Sequence, residues 1–254
     1  MSQETNPYHS AEPYKLTTSD SLPVRAVFAG CLTLSVAALL FAIFVWPLPR
    51  RRGVQELSRR VGCEKNLRDI AQAIRDYERA MGTLPPAYTV DADGKRLHSW
   101  RTLILPYFHR RETSELYDSI DLTKAWNDPV NAKAKSTFVR EFLCLSSAGE
   151  RTHTTYLAVV GPEFAFSGSN GRLLADVEDL KGTILAIDVS EAHSVHWMSP
   201  EDIAEDTLLN SQNRFQHDHL FVAAFAVGDA TSFNADISND ALRDMLTVAD
   251  EESR

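Results

Sequence analysis

The sequence predicts an α+β protein: a single N-terminal transmembrane helix, then one globular domain in which a long helix packs on an antiparallel sheet. Three observations carry this. Ala26 to Trp46 runs 21 residues without a charge (AVFAGCLTLSVAALLFAIFVW), and at about 1.5 Å per residue such a helix covers roughly 30 Å, the thickness of a bilayer's hydrocarbon core. The next stretch has apolar residues at helical spacing. The second half carries short β-prone runs separated by Gly, Asn, Ser and Asp.

Residues 1–25, rich in Ser, Thr, Pro and Tyr, read as a disordered tail. The apolar run at 26–46 is too long for a signal peptide and is followed by Pro47, Pro49 and three arginines instead of a cleavage site, so it is expected to remain as an anchor. Residues 47–60 form a basic juxtamembrane segment, where Arg50, Arg51, Arg52, Arg59 and Arg60 stand ready for anionic lipid headgroups. That cluster, by the positive-inside rule, puts the domain in the cytoplasm. Cys31 lies within the apolar run, which leaves Cys63 and Cys144 in the soluble part. Two cysteines fit one disulfide in an oxidising compartment and equally two free cytosolic thiols. The residues alone leave the side of the membrane open.

The globular domain is expected over 61–238, followed by a C-terminal helix and acidic tail over 239–254. From Val54 to Met81 the chain reads as one helix: Cys63, Leu67, Ile70, Ile74, Tyr77 and Met81 make an apolar stripe, with charged residues on the other faces. Gly82 and Pro85-Pro86 end it. Ser99 to Phe108 and Pro129 to Phe138 read as short helices capped by Ser99 and Asp128. Thr155 to Val160, Thr183 to Val189 and His219 to Val227 read as strands, the last apolar enough to be central. Thr231 to Asn234 returns as a hairpin partner after Gly228-Asp229, and Asn239 to Ala249 closes the fold as an amphipathic helix.

From Val61 onward 19 Lys and Arg face 31 Asp and Glu, a balance that repels phosphate backbones and excludes nucleic acid as a partner. His193, His196, His217 and His219, with Glu191, Asp218 and Asp229 nearby, are the residue types of a mixed imidazole and carboxylate metal site. Their spacing matches no compact ligand motif, so neither a metal nor a cofactor is expected. No phosphate-binding glycine loop, nucleophile elbow or His-Glu-x-x-His is present. The expected role is binding or assembly at a membrane and not catalysis; the alternatives are a ligand- or metal-binding domain and, more distantly, a membrane-bound hydrolase.

Ordered blocks add a resemblance. Cys63-Glu64-Lys65-Asn66-Leu67-Arg68, Gly82-Thr83-Leu84-Pro85-Pro86, Ser99-Trp100-Arg101, Trp126-Asn127-Asp128-Pro129, Phe142-Leu143-Cys144, Thr155 to Pro162, and Trp197 with Pro200-Glu201-Asp202 are similar to a planctomycete family of uncharacterised, pseudopilin-like proteins. That family often closes with His, nine residues, then Asp-Gly. His219 and Asp229 keep the spacing, with Ala230 in place of the glycine. The resemblance implies a pilin-like domain outside the cytoplasmic membrane, with possible envelope protein partners, and hence a disulfide between Cys63 and Cys144. It hands over no catalytic residue. No prepilin cleavage sequence precedes Ala26, and Pro47 and Pro49 interrupt the helical spine that pilin filaments need. A non-cleaved, single-pass relative is expected, not a filament subunit. Asp229 is expected to hold a turn through backbone amides, with His219 starting the strand that leads to it.

Overall fold

In the computed structural model the described residues are 35–41, 48–217 and 219–248, with 48–53 described in their backbone only. The predicted tail at 1–25, most of the predicted anchor at 26–46, the end of the C-terminal segment beyond Val248, and Asp218 lie outside them. Residues 35–40 are helical, and Val36, Leu39, Leu40 and Phe41 are exposed. Among the described residues no helix is long and apolar enough to cross a membrane. Val54–Arg254 form one compact unit.

Helix α1 (Leu48–Met81) begins six residues before the stretch the stripe predicts. Pro49 falls in its first turn, where a missing amide costs no helical hydrogen bond. Cys63, Leu67, Ile70 and Ile74 are buried as expected, and Ala71 and Ala73 widen the buried face. Met81 is 60% exposed, because the helix ends there and turns away through Gly82 at φ 80.

The main sheet runs in the order β4 (Tyr156–Leu157), β5 (Ile184–Asp188), β7 (Leu220–Phe225), β8 (Ala230–Asn234), all antiparallel. Two-stranded ribbons pair β1 (Tyr88–Val90) with β2 (Arg96–Ser99) and β3 (His153–Thr154) with β6 (Val195–His196). Alternation along β7 divides the core. Val222 and Ala224 share one cluster with the buried face of α1, while Phe221, Ala223 and Phe225 face Leu242 and Leu246 of α6 (Asn239–Leu246) and Leu208 and Leu209 of α5 (Glu205–Asn210). At the β7–β8 turn, Gly228 has φ 94 and its carbonyl accepts from Gln72 of α1. A Cβ there would sit 3.2 Å from Arg75.

Ser99 caps the short helix α2 (Trp100–Leu103), and Asp128 caps the turn leading into α4 (Ala132–Lys135). Helix α3 (Arg111–Asp118), α5 and the β1–β2 ribbon had no clear signal in the sequence, being short and mostly polar. Two strands differ from expectation. The one predicted over Thr155 to Val160 pairs in the sheet only at Tyr156 and Leu157, because Ala158 gives its amide to the Asp202 carboxylate and the chain leaves the sheet. The one predicted from His219 starts at Leu220: His219 is an exposed turn residue in the left-handed region at φ 61.

Candidate functional site

Four buried polar side chains from α1, a loop, the end of β5 and the approach to β7 meet: Cys63, Cys144, Asp188 and His217, with ligand-capable atoms all within 4.8 Å of one another. Cys63 lies on the buried face of α1. Cys144 follows a 3-10 turn (Arg140–Phe142) that Asn66 grips by donating to the carbonyls of Arg140 and Leu143. Gly62 makes room for the neighbouring Leu145, whose side chain a Cβ would meet at 2.4 Å. Asp188 ends β5, and His217 precedes β7 by a bridge to Leu220.

The sulfurs lie 2.7 Å apart and both cysteines are free thiols; a disulfide bond would measure about 2.05 Å. The amide of Leu145 donates to Cys63 Sγ at 3.1 Å, and His217 Nε2 is 3.8 Å from Cys144 Sγ. His217 Nδ1 pairs with Glu56 Oε1 at 3.0 Å, a residue seven positions before Cys63 and so on the same helix face. Asp188 divides its two oxygens: Oδ1 accepts from the Thr155 hydroxyl at 2.5 Å, whereas Oδ2 lies 3.3 Å from His217 Nε2 but not in line for a hydrogen bond. Tyr156, opposite Asp188 in the strand register, has a buried hydroxyl that also lacks a partner.

Charge is concentrated here. The contact between the two sulfurs pulls the Cys63 pKa down and pushes that of Cys144 up, and burial adds to the rise at Cys144. Burial opposes a charged imidazole at His217, but the Asp188, Cys63 and Glu56 contacts outweigh it and raise the pKa to about 10. A shallow depression of about 190 Å³, lined by Glu56, Arg60, Ser146, Gln216 and His217, opens beside the cluster.

The histidines considered together in the sequence separate. His193 bonds the Ser211 hydroxyl, and His196 bonds the Lys135 carbonyl and accepts from the Met198 amide. Only His217 of that set joins the cluster, and its companions are cysteines. Asp188 was missed by sequence reasoning, although it is the single charge in an otherwise apolar strand run, and that is the signal for it. Of the two motif residues, His219 is exposed and away from the cluster's ligand set. Asp229 accepts from the following Ala230 amide at 2.8 Å, as a turn residue does, and from Arg68 Nε of α1 at 2.6 Å, a contact not foreseen. His217 and Val227-Gly228 show the same nine-residue spacing, with the glycine retained.

Several of the blocks that carry the resemblance converge elsewhere, on a second buried network. Arg101 is fully buried and makes five hydrogen bonds: to the carbonyls of Trp197, Tyr156, Ser199 and Glu201, and to Asp202 Oδ1 at 2.6 Å. Trp100 Nε1 also donates to Asp202. Asn131 ties the Asp121–Ala125 loop through both ends of its amide. These residues hold the fold together.

No curated protein and no solved structure matches this chain. The family described as "Protein of unknown function (DUF1559)" matches residues 53–180, a span containing Cys63, Cys144, Arg101 and Asn131. Since that span is half of the chain, the protein belongs to this family of unknown function.

Proposed function

We propose that this is a single-pass membrane protein whose pilin-like domain lies outside the cytoplasmic membrane and works as a binding or assembly module of the envelope. The observation that carries this reading is an uncovered apolar stripe at the start of α1. Val54, Leu57 and Val61 fall on one helix face at steps of three and four, and are 67%, 50% and 59% exposed. They are interleaved with the juxtamembrane arginines, and all three are exposed. Solvent-facing apolar rows of this kind are sites of contact with lipid or protein. The packed core and the structural use of the shared motif residues fit such a role better than catalysis.

An external location places Cys63 and Cys144 where a metal-free pair closes into the expected disulfide, tying the helix to the Cys144 loop across 81 positions. By the chain-entropy model that closure stabilises by roughly 4 kcal/mol. Two measurements test the reading. A cysteine at exposed Asp240, in a background lacking the native cysteines, should react with an impermeant maleimide in intact cells. A photo-crosslinking residue at Leu57 should give one discrete protein adduct in native membranes. Labelling only after the inner membrane is opened, or crosslinks to lipid alone, would overturn the external location or the assembly role respectively.

A further inference from the structure

We infer that, in their thiol state, Cys63, Cys144, His217 and Asp188 form a binding site for one zinc-class divalent cation. The arrangement has what a closed metal site requires and what a plain disulfide does not. Two sulfurs, one imidazole nitrogen and one carboxylate oxygen converge from four separate segments, all buried. This is the mixed donor set that four-coordinate zinc accepts.

The supporting shell points the same way. Three of the four ligands are engaged on the side away from the cluster. Glu56 holds His217 Nδ1, turning Nε2 toward the sulfurs. Thr155 holds Asp188 Oδ1, leaving Oδ2 buried without a hydrogen bond. The Leu145 amide donates to Cys63 Sγ. Carboxylate-to-histidine contacts of this kind orient metal-bound imidazoles, and amide donors steady thiolates. A buried carboxylate oxygen with no partner is costly, and a cation among these atoms supplies the partner. In the metal-free state the His217 imidazolium, with Nε2 3.3 Å from Oδ2, answers that charge as an ion pair, and a bound cation would take its place.

The fit needs one adjustment. Zinc at about 2.3 Å from each sulfur holds two thiolates roughly 3.7 Å apart, so the 2.7 Å pair must open by about 1 Å. The His217–Cys144 and His217–Asp188 separations of 3.8 and 3.3 Å already suit a shared ion. On binding, both cysteines end as thiolates and His217 as a neutral imidazole, the protons they carried, that of His217 Nε2 included, pass to solvent, and no electrons move. Oxidation of the pair, by contrast, removes two electrons, forms the S–S bond and abolishes the site. The inference is independent of which side of the membrane the domain occupies.

The test uses the full chain in detergent, without a histidine tag, reduced under anaerobic conditions and stripped with chelator. Cobalt(II) should bind with one equivalent, producing thiolate charge-transfer and tetrahedral visible bands that zinc then displaces. Cys144→Ser and Asp188→Asn should weaken zinc binding at least tenfold. Because those changes are buried and threaten folding, Glu56→Gln, at a half-exposed side chain, serves as the second variant. It should lower affinity roughly 10- to 100-fold with the fold intact. His196→Gln should leave binding unchanged. A reduced, folded protein with alkylatable Cys63 and Cys144 and no cobalt–thiolate band would overturn the inference. So would a pair that can be reduced only by unfolding the domain, since the site would then exist solely as a disulfide.

Discussion

Replacing Arg101 by methionine should be among the most damaging single changes in this domain. The guanidinium uses all five of its donors, four on carbonyls and one on Asp202, and no part of it reaches solvent. Methionine fills much of the volume but leaves three buried carbonyls and the partly buried Glu201 carbonyl short of a donor, and a buried carboxylate with only Trp100 Nε1 and the Ala158 amide. Burial already raises the Asp202 pKa, with the Arg101 charge acting against that rise. Without the arginine, Asp202 would take up a proton, which limits the loss. Breaking a buried pair by removing one partner costs about 3–5 kcal/mol, and a domain of this size has about 5–15 kcal/mol in all. Arg101→Lys keeps the charge but has three donors, so an intermediate loss of about 2 kcal/mol is expected. Urea unfolding of the full chain in detergent, followed by tryptophan fluorescence, gives these values. The double change Arg101→Met with Asp202→Leu should be less harmful than the sum of its parts, because it removes the stranded carboxylate. A methionine variant within about 1 kcal/mol of wild type, or a double-mutant coupling near zero, would refute the reasoning.

Asn131→Ala should destabilise by about 1–2 kcal/mol, measured in the same way, since it leaves the Asp121 amide and two carbonyls of a half-buried loop without their partner. Asp229→Ala should cost no more than about 1 kcal/mol, because its bond to Arg68 lies at the surface. Gly228→Ala beside it should cost more than Asp229→Ala, as φ 94 and the approach of Arg75 both oppose a side chain; equal melting temperatures for the two would contradict this. His196, pushed down to about 4 mainly by burial, has a folded pKa below its unfolded value. Its contribution is therefore present above about pH 6.5 and is lost as pH falls toward 4, by an amount that solvent screening at this partly exposed ring cuts to the order of 1 kcal/mol. Stability measured across that window should vary less in His196→Gln than in wild type.

Much of the architecture was legible because it depends on local periodicity. The steps of three and four from Cys63 to Ile74 marked the face of α1 that must be covered, and the β-prone runs around Ala186 and Ala223 marked the strands that cover it. Ser99 and Asp128 were readable as caps because capping is a contact within a few residues. Where a long-range bond intervened, local reading failed: Ala158 leaves the sheet for a carboxylate 44 positions away. His219, which local pattern placed in a strand, turns out of it at φ 61.

The sequence by itself determined the fold class, the long helix with its buried cysteine, and the acidic charge balance, because each is set by composition or by neighbours along the chain. The meeting of Cys63 with Cys144 was expected from family resemblance, but their joining by Asp188 and His217 was decided only in the tertiary structure. Those four come from α1, a loop, the end of β5 and the approach to β7, and no one-dimensional spacing encodes their convergence. The same holds for Arg101, an ordinary charged residue by its neighbours in sequence, whose five partners gather only when the segments from Tyr156 and from Trp197 to Asp202 fold around it. Buried polar groups must find partners across the fold, and which partners they find is a property of packing, which periodicity cannot express.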